Sequence, residues 1–356
     1  MNNSKNLGIK DIAALANVSI GTIDRVLHNR KGVSPKTKER VLQIIEETGF
    51  KKNVMASRLK LAAIKKINIA VLLPEFTNEV VYWNLTNQGI RKASDELFEQ
   101  GVSVKNYFFN LLNPETFRSV CNQVDENGFD AIITVPFFEK EISLLLEKAK
   151  IRKAPVVFLD SVRQDNLSGN YILQNSFKAG MVAGRLLHGL VKEDGQYFVF
   201  NILNERGTQL NNKQREMGFR AFFAQNFSDS KIEIHSINHP LESKEDLREE
   251  VLTLLDPDRN KGIFVSNARS FIVADILAEC QIPNTNIIGF DLTKQNLLKL
   301  NSGEIDFLIN QQPDYQGYAA VKGLYKYITV QDASELTLDI PVEIIIKENA
   351  DFSVIA

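Results

Sequence analysis

Ile9-Lys-Asp-Ile-Ala-Ala-Leu-Ala-Asn-Val-Ser-Ile-Gly-Thr-Ile-Asp-Arg-Val-Leu27 is the stretch that decides how the chain begins. Ile9, Ile12, Ala13 and Ala16 recur at i, i+3, i+4 and i+7, which places them on one face of an amphipathic helix. Asn17-Val-Ser19 interrupts the period, and the Ser19 hydroxyl suits the N-cap of a second helix over 20–27. Val18, Ile23, Val26 and Leu27 would face the first helix, leaving Ile20, Gly21, Thr22, Asp24, Arg25 and His28 outside or at the edges. Two short helices joined by a three-residue turn make a helix-turn-helix, whose second helix can enter a DNA major groove. A third helix follows, capped by Ser34, opened by Pro35, striped by Val41, Ile44 and Ile45, and closed by Gly49.

The charge distribution agrees with that pattern. Residues 1–66 carry fourteen Lys/Arg against five Asp/Glu, a net of +9, whereas the chain as a whole is at -2. A basic head on an acidic body points to a polyanion met by the head alone. The 356 residues exceed one ordinary domain, and 44% apolar with 24% charged residues is the composition of a soluble globular protein. No apolar run is long enough to span a membrane, and Met1–Lys10 lacks an apolar signal region, so a cytoplasmic location is expected. Cys121 and Cys280 sit in apolar-patterned segments and are expected as buried, reduced thiols.

From Ile67 onward apolar runs alternate with helical patterns. Strands are expected over 67–74, 104–109, 131–135 and 156–159, then over 197–202, 232–237, 262–265 and 287–290. Such alternation predicts parallel sheets covered by helices, with a ligand at the carboxyl ends of the strands. Two sets predict two lobes and a cleft between them. His28, His188, His235 and His239 form no metal-ligand pattern. The chain has no nucleophile elbow, phosphate loop or His-Glu-x-x-His motif, so neither a catalytic site, a metal nor a cofactor is expected.

The 9–27 stretch, continued by Val33-Ser34-Pro35, Thr37, Val41, Gly49-Phe50 and Asn53-Val-Met-Ala56-Ser-Arg-Leu59, resembles the head and hinge helix of the lactose/galactose-repressor (LacI/GalR) family. The resemblance implies an all-α head over 1–52, a hinge helix and linker over 53–66, and a body over 67–356. That body is expected to be an α/β, two-lobed fold like the type 1 periplasmic binding proteins, with lobe 1 about 67–161 and 292–330 and lobe 2 about 162–291 and 331–356. It further implies that Ile20, Gly21 and Arg25 read base edges; a guanidinium suits a guanine edge. Ser19, Thr22, Asn29 and Lys36 would contact phosphates. Asn53 and Ala56 belong to the matched hinge, where Leu59 would wedge between base steps in the minor groove or else only begin a linker helix. Asp24, where the family usually has Ser, is left without a role.

In the body, Ile288-Gly-Phe-Asp291, Ile263-Phe-Val-Ser-Asn267, Val157-Phe-Leu-Asp160 and Ile309-Asn-Gln311 resemble strands that end in ligand-binding side chains. Tyr82 and Trp83 fall where the family places aromatic residues at the cleft. Aligning Asn211-Asn-Lys213-Gln-Arg215-Glu-Met-Gly-Phe219 on Gly218-Phe219 puts Lys213 at the position of a ligand-binding Arg, with loss of the guanidinium fork. Ala268 follows Asn267 where Asp is usual. The resemblance thus implies a homodimeric, ligand-responsive regulator of operator DNA, with a sugar or sugar derivative as effector.

Overall fold

The computed structural model describes residues 9–27, 31–48, 66–76, 81–164, 167–192, 195–203, 209–227, 232–240 and 244–353. The chain divides into a unit holding residues 1–66 and one holding 67–98 with 102–356.

The head is three helices, α1 (Ile9–Leu15), α2 (Ile20–Leu27) and α3 (Pro35–Thr48). Ile12, Ala13, Ala16, Ile23, Val26 and Val41 are buried at their junction, with Val18, Leu27, Ile44 and Ile45 packed against them. The α1–α2 turn passes through Asn17 at φ 49°, a left-handed conformation that Asn tolerates. Ser19 Oγ then accepts from Thr22 N at 3.1 Å, and Ser34 Oγ accepts from Thr37 N at 3.2 Å. Each hydroxyl accepts from an amide in the first turn of its helix, where backbone acceptors are scarce.

The body has two six-stranded sheets. The first contains β1 (Ile67–Pro74), β2 (Val102–Phe109), β3 (Ala131–Thr134), β4 (Val156–Leu159), β5 (Asn170–Gln174) and β11 (Leu338–Ile340), in the order β11-β5-β4-β3-β1-β2. The second contains β6 (Gln196–Leu203), β7 (Ile234–Pro240), β8 (Lys261–Val265), β9 (Thr285–Phe290), β10 (Phe307–Asn310) and β12 (Glu343–Ile345), in the order β12-β10-β9-β8-β6-β7. All pairings are parallel except β10 with β12. Parallel strands need crossover helices, which cover both faces and account for strands that are buried throughout, such as β3 and β4. These helices are α4 (Val81–Leu97), α5 (Pro114–Asn127), α6 (Glu139–Arg152), α7 (Ser176–Val191), α8 (Leu210–Asn226), α9 (Lys244–Leu254), α10 (Ser270–Glu279), α11 (Lys294–Ser302) and α12 (Pro313–Val330). None of the described helices is long and apolar enough to cross a membrane.

The pairings correct the expected lobe boundaries. β5 lies on the expected lobe 2 side of residue 162, yet it pairs with β4 and β11 in the first sheet. β10 falls within 292–330, the expected lobe 1 segment, yet it pairs with β9 and β12 in the second. The chain therefore crosses between lobes after Gln174, Asn310 and Ile340, later than the sequence division. Gln174 marks these crossings: its Nε2 donates to Asn310 O at 2.9 Å and to Pro341 O at 3.2 Å.

The closest helix contact in the second lobe determines where α8 sits. A Cβ added at Gly180 would lie 1.9 Å from Arg215 O, and one at Gly218 would lie 1.9 Å from Phe177 O. α7 and α8 thus touch backbone to backbone, and Phe219 stacks on Phe264 of β8 at 5.0 Å. Gly180→Ala should lower the unfolding free energy by about 1–3 kcal/mol through overpacking. Urea unfolding measures this; an unchanged midpoint would contradict the contact.

Candidate functional site

The outward face of the head's second helix carries the expected base readers. Ile20 is 44% exposed, and Gly21, Arg25 and Lys36 are exposed as well, while Thr22 is half-buried. Inward-facing Ile23 and Val26 leave this face free of packing duties. Ser19 is exposed, with its hydroxyl engaged as the cap and 3.0 Å from Thr22 Oγ1. Asn29 and the hinge residues Asn53, Ala56 and Leu59 lie outside the described residues.

In the body, the carboxyl ends of β4, β9 and β10 converge. Asp160 and Asp291 follow β4 and β9 directly, at φ 41° and 67°, and Gln311 follows β10. Asp adopts left-handed backbone more readily than most residues, so a carboxylate can sit at a sharp strand exit. At the second exit, Asn296 Nδ2 donates to Phe290 O at 2.9 Å and Asp291 O at 3.0 Å, which fixes the turn.

Arg215 of α8 lies at the centre of these ends and is only 4% exposed. Its Nη1 donates to Ser266 O at 2.8 Å and its Nη2 to Gln311 Oε1 at 2.6 Å. Gln311 Nε2 passes the chain on to Asp291 Oδ1 at 2.7 Å. The guanidinium lies over the Phe290 ring, 3.8 Å from its centroid. From the first lobe, Asp160 meets Asn211 of α8, whose Nδ2 donates to Asp160 Oδ1 at 3.4 Å. Gln316 of α12 links the remaining members. Its Oε1 accepts from Asp160 N at 3.3 Å, and its Nε2 donates to Gln311 O at 2.9 Å and to Tyr82 OH at 3.3 Å.

Burial dominates the electrostatics of this group. It pushes the Asp160 carboxyl up to about 6, with Arg215 opposing the rise and Asp291 adding to it. Burial also raises Asp291 against the pull of Arg215 and Gln311. The Tyr82 hydroxyl is held well above its usual range by burial and then by Asp160 and Asp291. The Arg215 guanidinium is lowered by burial, countered by the two carboxylates. Carboxylates, amides, a guanidinium and a phenol in one place can accept from and donate to the hydroxyls of a polar ligand.

The structure thus brings together Tyr82, Asp160, Asp291 and Gln311 of the expected residues. It corrects Lys213, which is exposed on the outer face of α8, two residues before the buried Arg215. One helical turn separates the burial-compatible positions: Arg215, Gly218, Phe219 and Phe222 are buried at i, i+3, i+4 and i+7, whereas Lys213 shares its face with exposed Met217. That period was the signal for Arg215, and with it the guanidinium is retained rather than lost. Trp83 is also relocated. It is 5% exposed in the first lobe's core, edge-on to Tyr82 at 4.9 Å and to Phe137 at 6.0 Å. Asn267 is committed locally: its Nδ2 donates to Ile202 O at 2.8 Å and its Oδ1 accepts from Arg269 N at 3.2 Å. Asn211 and Gln316 were not anticipated. Asn211 lies one turn before Arg215 on the same face, whereas Gln316, a polar residue in a buried, small-residue helix, has no motif of its own.

The chain thus carries a helix-turn-helix on a basic head and a two-lobed α/β body whose strand ends gather a buried polar cluster. Comparison with known proteins agrees. Residues 69–332 match the family model described as periplasmic binding protein domain, and residues 8–53 match bacterial regulatory proteins, lacI family. The HTH-type transcriptional repressor PurR of Mannheimia succiniciproducens is 25% identical over 96% of this chain and 98% of its own. The sucrose operon repressor of Streptococcus mutans is 28% identical over 80% of this chain and 82% of its own. A crystal structure of a Bacteroides fragilis protein assigned to the LacI transcriptional regulators superposes with a TM-score of 0.70 at 24% identity, covering 80% of this chain and 98% of that one. The chain belongs to the periplasmic-binding-protein domain family and, with its lacI-type head, is a LacI-family DNA-binding transcriptional regulator.

The raised Asp160 carboxyl has a consequence for stability. The folded chain binds this proton more tightly than the unfolded chain, whose carboxyl keeps an ordinary value near 3.8. The group's stabilising contribution is therefore complete at low pH and is lost as pH rises from about 4 to about 6. Asp160→Asn carries no titrating proton, so it should gain stability relative to the unchanged chain as pH rises across that window. Urea unfolding at several pH values tests this, and parallel pH profiles for the two proteins would refute it.

Proposed function

We propose that the chain acts in the cytoplasm as a homodimeric regulator of carbohydrate metabolism. In this reading a sugar or sugar derivative binds between the lobes and changes the affinity of the heads for a near-palindromic operator. The observation that carries the ligand half is the chain of hydrogen bonds from Arg215 through Gln311 to Asp291, facing Asp160 across the cleft. Directional donors and acceptors drawn from both lobes suit a ligand bearing several hydroxyls, and such a ligand favours the lobe arrangement that it bridges. Similarity to the sucrose operon repressor of Streptococcus mutans supports the same ligand class.

For the DNA half, exposed Ile20, Gly21 and Arg25 would lie against base edges, with Arg25 the specific donor to guanine. Two heads in a dimer would double these few contacts across two half-sites. The Leu59 wedge belongs to the same proposal.

Two substitutions separate the halves. Arg25→Ala should weaken binding to an operator selected from random DNA by about 1–3 kcal/mol while largely sparing unselected DNA. Equal loss on both would make Arg25 a phosphate contact. Asp291→Ala should abolish stabilisation by any sugar that stabilises the unchanged chain, a gain of about 2.7 kcal/mol at 100 times the dissociation constant. Operator binding without sugar should stay intact, and a retained sugar response would remove Asp291 from the site.

A further inference from the structure

We infer that the cleft selects a neutral polyhydroxy ligand and rejects anionic sugar derivatives, sugar phosphates and sugar acids alike. This rests on the sugar-binding reading above and adds the charge of the ligand to it.

The inference starts from what Arg215 has left to offer. An oxyanion is held best by two parallel N–H donors of a guanidinium fork. Here both terminal nitrogens already donate to protein oxygens, Nη1 to Ser266 O at 2.8 Å and Nη2 to Gln311 Oε1 at 2.6 Å. One face of the group lies against Phe290. Nε is buried and has no hydrogen-bond partner. Of the five N–H donors, Nε and one hydrogen on each terminal nitrogen remain for ligand oxygens, a neutral hydroxyl or ring oxygen among them.

The charge around these donors decides which ligand they take. Two carboxylates, Asp160 and Asp291, act on the one guanidinium, so the group carries one negative charge in excess when both are ionised. Lys213, the cation expected here, is exposed on the outer face of α8. Among the described residues, Arg163 near the end of β4 pairs with Asp339 at 2.8 Å, and Arg269 sends Nη1 toward Ile202 O at 3.5 Å beside Asn267. Burial already makes ionisation of both Asp160 and Asp291 costly, and a ligand anion set down between them would add a third negative charge in the same desolvated place. A neutral polyol brings no such charge. Its hydroxyls donate to Asp160 and Asp291, and its oxygens accept from Arg215 Nε and Asn211 Nδ2.

The test is titration calorimetry on the full chain with glucose, galactose, fructose and sucrose, each paired with its phosphomonoester, and with gluconate. The expected result is binding of at least one neutral sugar, with its phosphorylated or acidic counterpart about 100-fold weaker, a difference of about 2.7 kcal/mol. Anionic forms binding as tightly as neutral ones, or more tightly, would overturn the inference while leaving the sugar reading intact. No binding by any sugar, neutral or anionic, would overturn the sugar reading and this inference with it. The doubly substituted chain, Asp160→Asn with Asp291→Asn, separates charge from shape. The gap between neutral and anionic sugars should narrow at least about tenfold, and an undiminished gap would show that the carboxylates do not set the selectivity.

Discussion

A buried guanidinium is the constraint on which the second lobe and the cleft depend. Removing such a charge from water costs several kcal/mol unless carboxylates and carbonyls replace the lost hydration. Arg215 obtains that replacement from Ser266 O, from Gln311 and, through Gln311, from Asp291, residues that follow three different strands. Those partners meet only if α8 holds its register and distance. Gly180 and Gly218 fix the distance by allowing α7 and α8 to touch through their backbones. Phe219 on Phe264, and the guanidinium on Phe290, fix the rotation. Packing deep in the lobe and the polar surface of the cleft are consequently one problem with one solution.

The same residues join the two lobes. Asn211 reaches from α8 to Asp160 of the first lobe, Gln316 of α12 holds Asp160 and Gln311 together, and Gln174 ties together the three crossing segments. Among the described residues these are individually weak bonds beside three large apolar clusters, one in the first lobe and two in the second. A hydrogen bond contributes about 0.5–1.5 kcal/mol net, so the balance between lobe arrangements lies within reach of one ligand's binding energy.

Much of this was legible in the sequence. The head was, because a small helical core leaves an unambiguous period at Ile9, Ile12, Ala13, Ala16, Ile23, Val26 and Val41. Asp160, Asp291 and Gln311 were legible through the resemblance of the strands that they end to ligand-binding strands of the family. Errors arose wherever geometry had to be carried through a helix or a non-local pairing. Counting residues back from Gly218 without turning the helix led to Lys213, although 3.6 residues per turn places Arg215 on the inner face. Trp83 neighbours Tyr82 in sequence but points into the core, since adjacent residues on a helix face different ways. β5, a five-residue strand, and the true sheet of β10 follow from pairings between distant segments, to which local pattern is blind.

The central claim is that one ligand-sensitive lobe arrangement governs the heads, and coupled binding tests it directly. Operator affinity of the full chain is measured with and without a saturating sugar that binds it, and sugar affinity with and without saturating operator. The account predicts the same factor in both directions, about 5- to 150-fold, because coupling between two sites is reciprocal. Tight sugar binding that leaves operator affinity unchanged would contradict it.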